Sequence, residues 1–463
     1  MNPRFLKYFK LFSGPLAYLI IQSIPFDGLS SEGKAVLACT TWVALWWITE
    51  AVEIPVTSLL PIVIFPLSGA LSIGETTSSY GNPIIYLYLG GFVLGLAVEK
   101  WDLHKRIAFN IINLVGTGKR RVLLGMMVAT AFLSMWISNT ATAIMMLPIG
   151  LSISQFYRDE QPFSKNLLLG IGYAASIGGV GTLIGTPPNL ILAGVVKESL
   201  HYDISFLQWM LFATPLSVIL LLITWFYLSR NFPKSENQTH QFKLEPLKKI
   251  SKQEKRVALI FVITALLWVS RSFLINPWFP VVDDTMIAIF GALLMFITPA
   301  GTKNGENLMN WKVAKKLPWN VLILFGAGLA IAKGFSTTDL TEWLGENFTS
   351  LDFMPVLVIS LIIFASINFL TEITSNTATA SMLLPILITL GASLNMDTLP
   401  LLAGAAISAS CAFMLPVATP PNAIVFSSGR ITIPEMMRAG FALNLASIAL
   451  VFLFATYLWD VIF

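Results

Sequence analysis

The stretch SNTATAIMMLPI at residues 138–149 returns as SNTATASMLLPI at residues 375–386, with ten of twelve positions identical. Agreement of that length between distant segments marks an internal duplication. Each copy sets hydroxyl and amide side chains inside an apolar stretch, where an unpaired polar group costs several kcal/mol in lipid. Groups kept at that cost are expected to bind something. Ser138, Asn139 and Thr140 with Ser375, Asn376 and Thr377 are therefore read as two halves of one polar site.

The surrounding composition belongs to a membrane protein. Of 463 residues, 55% are hydrophobic and only 12% charged, with a mean hydropathy of +0.74, whereas soluble domains carry about 25% charged residues. In such a chain the net charge of +4 matters less than where the charges stand, and no nucleic-acid partner is expected. Cys39 and Cys411 lie in apolar runs and read as packing residues rather than a disulfide. His104, His201 and His240 lack metal-ligand spacing. The basic start leads into an apolar run with an early Pro15 and no small-residue cleavage site, so a retained first span is expected.

A membrane-crossing helix needs about 20 apolar residues. Eleven spans are predicted near 12–27, 35–50, 55–73, 84–99, 167–200, 208–229, 257–274, 284–299, 318–333, 398–428 and 437–460. The repeated phrase falls between them, in 122–156 and 355–391. Neither segment holds two full crossings, so each is predicted to be a re-entrant hairpin buried in protein. The predicted fold is thus an all-α polytopic membrane protein of eleven spans and two re-entrant hairpins.

Positive charge collects on cytoplasmic loops. With the N-terminus inside and the C-terminus outside, all of the 29 Lys and Arg fall on the cytoplasmic side except Lys34, Lys197, Arg271 and Lys333. Arg271 is expected to snorkel to the outer interface. The basic loop within 230–256 reads as a solvated cytoplasmic linker. An odd number of spans separates the hairpins, so they enter from opposite faces, an inverted-topology repeat of the kind found in many secondary transporters. The repeat extends upstream at an offset of 237 residues, pairing Ser134 with Thr371 and Asp102 with Asp339. Segments 102–118 and 337–350 read as interfacial amphipathic arms leading into the hairpins.

A second phrase is also duplicated: GTPPN at 185–189 and ATPPN at 418–422. Two consecutive prolines cannot continue a helix, but suit the first turn of a new one. Each span is expected to break there into two half-helices. Half-helix N-termini favour an anion, while C-termini and unwound carbonyls favour a cation such as Na⁺. The SNT hydroxyls and amides can donate to carboxylate oxygens, and an amide oxygen of Asn139 or Asn376 can face a cation instead. No Lys or Arg stands at either motif. Glu372, where the first copy has Met135, is an intramembrane carboxylate. A structural role inside the bundle is expected for it, with proton or cation handling as the alternative.

Both SNT motifs, both TPPN loops, LHKRIA at 103–108 and SCAFMLPVATPPNAIV at 410–425 make the chain resemble the divalent anion/Na⁺ symporter family over nearly its whole length. The resemblance implies a substrate between the hairpin tips, held by the SNT residues with Thr186, Thr419 and Pro420. It implies one Na⁺ site at Ser134, Ser138, Asn139 and Gly185 and another at Thr371, Thr374, Asn376 and Ala418. It also implies a homodimer in which a transport domain slides against a scaffold, as in an elevator. The scaffold comprises 1–121 and 257–350, and the transport domain 122–229 and 351–463, with 230–256 as linker.

The expected activity is Na⁺-coupled import of a C4-dicarboxylate (succinate, malate or fumarate) across the plasma membrane, with no organic cofactor. A Na⁺-independent dicarboxylate exchanger of the same fold is the alternative. An intramembrane enzyme would need a nucleophile–base or metal constellation at membrane depth, and the sequence offers none. A channel fits inverted broken helices less well than a carrier does.

Overall fold

The computed structural model describes residues 3–116, 118–157, 160–232, 249–303, 305–348 and 353–462. Most of the basic linker, 233–248, and with it His240, lies outside them. Among the described residues the chain is a succession of helices with one isolated β-bridge, between Pro299 and Asn307.

Helix α1 (Pro3–Ser23) returns through α2 (Ser31–Thr49), whose first turn is capped by Ser30. The span predicted at 55–73 is broken and shorter: α3 (Ile54–Thr57) and α4 (Leu60–Ser68) meet at Ser58, and α4 stops at Gly69, which has a φ of 78°. Pro61 starts a fresh helical turn there, and the freed Ser58 carbonyl accepts a bond from Tyr80 Oη at 2.5 Å. After α5 (Ile73–Tyr80) and α6 (Pro83–Lys100) comes the arm α7 (Leu103–Val115).

The first hairpin is α8 (Lys119–Ser134) and α9 (Asn139–Phe156), which starts three residues before the predicted 122 and turns at the SNT phrase. Helices α10 (Gln161–Val180) and α11 (Pro187–Leu200) form the predicted broken span, followed by α12 (Phe206–Ser229). Next come α13 (Lys252–Ser270), prolonged by a π-helical turn Arg271–Ile275, then α14 (Asp284–Ile297), α15 (Trp311–Ala314) and α16 (Trp319–Thr337). The second half repeats the first: arm α17 (Leu340–Phe348), hairpin α18 (Val356–Leu370) and α19 (Asn376–Ser393), broken pair α20 (Thr398–Ser410) and α21 (Pro420–Phe426), then α22 (Ile433–Tyr457) and the short α23 (Trp459–Ile462).

Six of these segments are long and apolar enough to cross a bilayer, among them α12, α16 and α22. One of the six is α19, longer than a half-span hairpin arm needs to be. Apolar α14, α18 and α20 are shorter. Cys39 and Cys411 are both buried, as free thiols, in different parts of the bundle.

Contacts between helix ends settle which ends lie together. Arm α7 is tied to the start of α13 by Arg106, whose Nε and Nη2 reach Glu254 Oε1 at 2.8 Å and Oε2 at 3.3 Å. Arm α17 is tied to the start of α2, where Asp339 accepts bonds from Ser30 N at 2.7 Å and Ser30 Oγ at 2.5 Å. The far end of α2, at Glu50, lines the same cavity as Glu99 at the end of α6, next to α7, so α17 sits at the other end of the bundle. Since α8 follows α7 and α18 follows α17, the two hairpins enter the bundle from opposite ends.

Arg271 does not snorkel. It is only 7% exposed, and its Nε lies 2.8 Å from Asp284 Oδ1, also 7% exposed. The π-helical turn and the acidic start of α14 bring the two together, and a guanidinium with a carboxylate in reach stays buried rather than stretching to water.

Candidate functional site

The two tips meet in one cavity of about 980 Å³. Its walls include Ser138, Asn139, Thr140, Gly185 and Thr186 from the first half, and Thr374, Ser375, Asn376, Thr377, Ala418, Thr419 and Pro420 from the second. Of the sequence-predicted site residues, Ser134 and Thr371 do not line it. Both are fully buried behind the asparagines. Lys10, Glu50, Glu99 and Lys316 also line the cavity, so it opens toward the end of the bundle that carries α7 and most of the lysines.

Helix geometry makes this a place for anions. Helices α9 and α19 start at Asn139 and Asn376, so two N-termini with free N–H groups converge on the cavity, and the N-terminus of α11, whose first two residues are prolines without an N–H, adds only its dipole. Thr186 and Thr419 occupy the extended positions before the proline pairs, and Thr419 Oγ1 accepts from Asn422 N at 3.3 Å. Ser138 Oγ likewise caps α9, accepting from Ala141 N at 3.2 Å. Among the described residues, Lys10 and Lys316 are the lysines on the walls, and no arginine is there.

Behind each tip the chemistry reverses. The side-chain terminus of Asn139 lies 2.6 Å from Ser134 Oγ, 3.1 Å from the Ala175 carbonyl and 3.2 Å from the Gly185 carbonyl. Ser134 Oγ is also 2.6 Å from Ala175 O. Three oxygens thus surround the end of the Asn139 amide. Two arrangements satisfy them: the amide turned so that its NH₂ donates to the carbonyls, or the amide oxygen together with a cation. The second half repeats the pattern: Thr371 Oγ1 is 2.7 Å from Asn376 Oδ1 and 2.9 Å from the Ala409 carbonyl. The Ala175 and Ala409 carbonyls were not legible in the sequence, because every residue carries one.

Glycine makes the first pocket possible. A Cβ on Gly179 would stand 2.8 Å from Asn139 Nδ2, and one on Gly185 would stand 2.9 Å from Gly179 Cα. The closing asparagine of each TPPN phrase pins the unwound loop. Asn189 Nδ2 donates toward the carbonyls of Thr182, Val180 and Gly179 at 2.7, 3.1 and 3.3 Å. Asn422 Nδ2 does the same for Ala412 and Leu415, both at 3.1 Å.

The halves differ in how tip and loop are joined. In the first, Thr182 Oγ1 donates to the Met135 carbonyl at 2.5 Å. In the second, the Glu372 side chain accepts from the backbone N–H groups of Phe413, Met414 and Leu415 at 2.8, 2.9 and 3.0 Å. Thr374 is also part of the second tip, its hydroxyl 2.7 Å from Thr379 Oγ1, while Ile137 stands at the matching position in the first.

The sodium:sulfate symporter transmembrane region, as a family model, matches residues 6–463. The chain belongs to this family. The divalent anion/Na⁺ symporters named from the motifs are the same group, and they are transporters, not enzymes. Relatives of the family agree along the whole length. The sodium-dependent dicarboxylate transporter SdcS of Staphylococcus aureus strain USA300 is 47% identical over 479 aligned positions, covering 98% of this chain and 91% of SdcS. SdcS of strain bovine RF122 is 46% identical over the same coverage. In structure, the chain is similar to the YdaH transporter of Alcanivorax borkumensis, with a TM-score of 0.57 at 15% identity, over 84% of this chain and 86% of that one. That likeness supports the helical transporter fold. The symporter chain is therefore a multi-pass plasma-membrane protein.

Proposed function

We infer that the protein imports C4-dicarboxylates such as succinate, malate and fumarate by Na⁺ symport. The observation that carries this reading is the pairing of an anion-favouring cavity with two oxygen-lined pockets directly behind its two tips. The dianion lies between the tips, its carboxylates taking bonds from Ser138, Asn139, Thr140, Ser375, Asn376 and Thr377, with Thr186, Thr419 and Pro420 closing the site. One Na⁺ takes Ser134, Ser138, Asn139 and Gly185, to which the Ala175 carbonyl is added. The other takes Thr371, Thr374, Asn376 and Ala418, with the Ala409 carbonyl added.

The tips and loops offer the substrate helix N-termini, hydroxyls and amides, and neither motif carries a lysine or arginine. Neutral donors hold a dianion firmly only while the cations are beside it. Loss of Na⁺ then releases the substrate, which couples the two. The lysine-rich end of the bundle faces the cytoplasm, so the N-terminus is inside, the C-terminus outside, and the cavity as described is open inward. Transport proceeds by an elevator motion of hairpins, α10–α12 and α20–α22 against a scaffold of α1–α6 and α13–α16, in a homodimer.

Uptake of labelled succinate into proteoliposomes tests this. Uptake is expected to require an inward Na⁺ gradient and to proceed without internal dicarboxylate. Uptake that ignores Na⁺ and demands internal dicarboxylate would establish the exchanger instead. Asn139→Ala and Asn376→Ala are expected to abolish uptake in protein that still elutes as a folded species in detergent.

A further inference from the structure

The end of the bundle opposite the cavity mouth is closed by a charged cluster that the site does not use. Arg271, first residue of the π-helical turn, is buried against Asp284, and its Nη1 lies 3.6 Å from Asp203 Oδ2. The second oxygen of Asp284 accepts from Phe206 N at 2.9 Å, at the first residue of α12. Asp203 also meets Lys197 Nζ at 3.1 Å. Close by in the chain, Glu198 Oε1 lies 3.8 Å from Lys333 Nζ on α16. Ring contacts follow the charges: Phe206 stacks on Trp268 with centroids 4.7 Å apart, and Trp136 of the first tip meets Phe261 edge-on at 5.2 Å.

Apart from Arg271–Asp284, within the second group, and Asp203–Lys197, within the first, these contacts join α8–α12 to α13–α16. At the mouth end the pattern is different. Lys100–Glu306 and Arg106–Glu254 join the first group of helices and its arm to α13–α14, while Lys165–Glu435 and Lys119–Glu160 stay among the hairpin-side helices. Among the described residues, the ion pairs between the proposed moving and fixed parts, Arg271–Asp203 and Lys333–Glu198, both lie at the closed end.

We propose that Arg271 and Asp284 form a catch for the α11–α12 corner, holding the inward-open arrangement until the corner leaves them. The proposal rests on the alternating-access reading above. Its energetics suit a reversible step. Opening leaves the buried Arg271–Asp284 pair intact on the fixed side, so no buried charge loses its partner. What is given up is the half-exposed Asp203 pair, one backbone hydrogen bond and a ring stack. A π-helical turn at this point fits, since such turns concentrate at functional positions. The turn places the guanidinium where it can reach both carboxylates.

The test uses the full chain carrying Val417→Cys, a residue 82% exposed on the cavity wall. Cys39 and Cys411 are buried and do not compete for a membrane-impermeant maleimide. Labelling rates are read in right-side-out and inside-out vesicles. Asp203→Asn is expected to raise the ratio of outer to inner labelling about threefold, the effect of losing one half-exposed ion pair, and Asp203→Glu is expected to restore the wild-type ratio. A reporter reached from both sides whose ratio Asp203→Asn leaves unchanged would overturn the catch alone. A reporter reached from the inner side only, with or without Na⁺ and succinate, would overturn the carrier reading with it.

Discussion

Asn444 of α22 donates its side-chain amide to Glu372 Oε1 at 2.8 Å, so this intramembrane carboxylate is met by donors on every side. An ionised carboxylate accepts all of them, whereas a protonated one would set an O–H against a backbone N–H. Glu372→Gln places an NH₂ among those N–H groups, at a cost of roughly 1–3 kcal/mol for a buried group left unsatisfied. A lower melting temperature in detergent and a raised Na⁺ half-saturation for uptake are expected. Unchanged values for both would remove Glu372 from the second tip's support.

Gly179→Ala puts a methyl group against the Asn139 amide. The Na⁺ concentration for half-maximal uptake is expected to rise at least tenfold, about 1.4 kcal/mol. Gly74→Ala, where an added Cβ meets nothing within 4 Å, serves as the control and should behave as wild type.

Asn189→Ala strips the donor from three loop carbonyls buried in the bundle. Roughly 2–3 kcal/mol of stability is at stake. Thermal unfolding in detergent should show the loss, and added Na⁺ with succinate should restore part of it, because a ligand bound only to the folded state stabilises it.

Asp339→Ala leaves the start of α2 without its acceptor. A loss of about 1–2 kcal/mol is expected, as for removal of a helix cap. Uptake per folded molecule should fall little, since Asp339 lies far along the chain from the tips and outside the cavity walls. Proteolysis of the α16–α17 connection in folded protein reports the loosening.

Much of this arrangement was readable from the residues. The duplicated SNT and TPPN phrases located both helix breaks and both tips, because prolines and misplaced polar groups have few physical explanations inside an apolar span. The opposite entry of the two hairpins followed from counting spans between them. Arg271 misled, because burial of a charge depends on a partner, and Asp284 is remote from it in no way that periodicity reveals. The carbonyls of Ala175 and Ala409 were invisible for a different reason: a backbone ligand leaves no mark on the choice of side chain.

The donors around Glu372 have an electrical consequence. They are hydrogen-bond dipoles, and no Lys or Arg among the described residues pairs with the carboxylate, so in the proposed motion any negative charge on it would move with the hairpin without a paired cation. A charge carried across the whole field would feel about 2.3 kcal/mol per 100 mV. In the proposed motion, a carrier emptied of substrate and Na⁺ would carry that uncompensated charge alone at the second tip, and an inside-negative membrane would favour its return to the outer face.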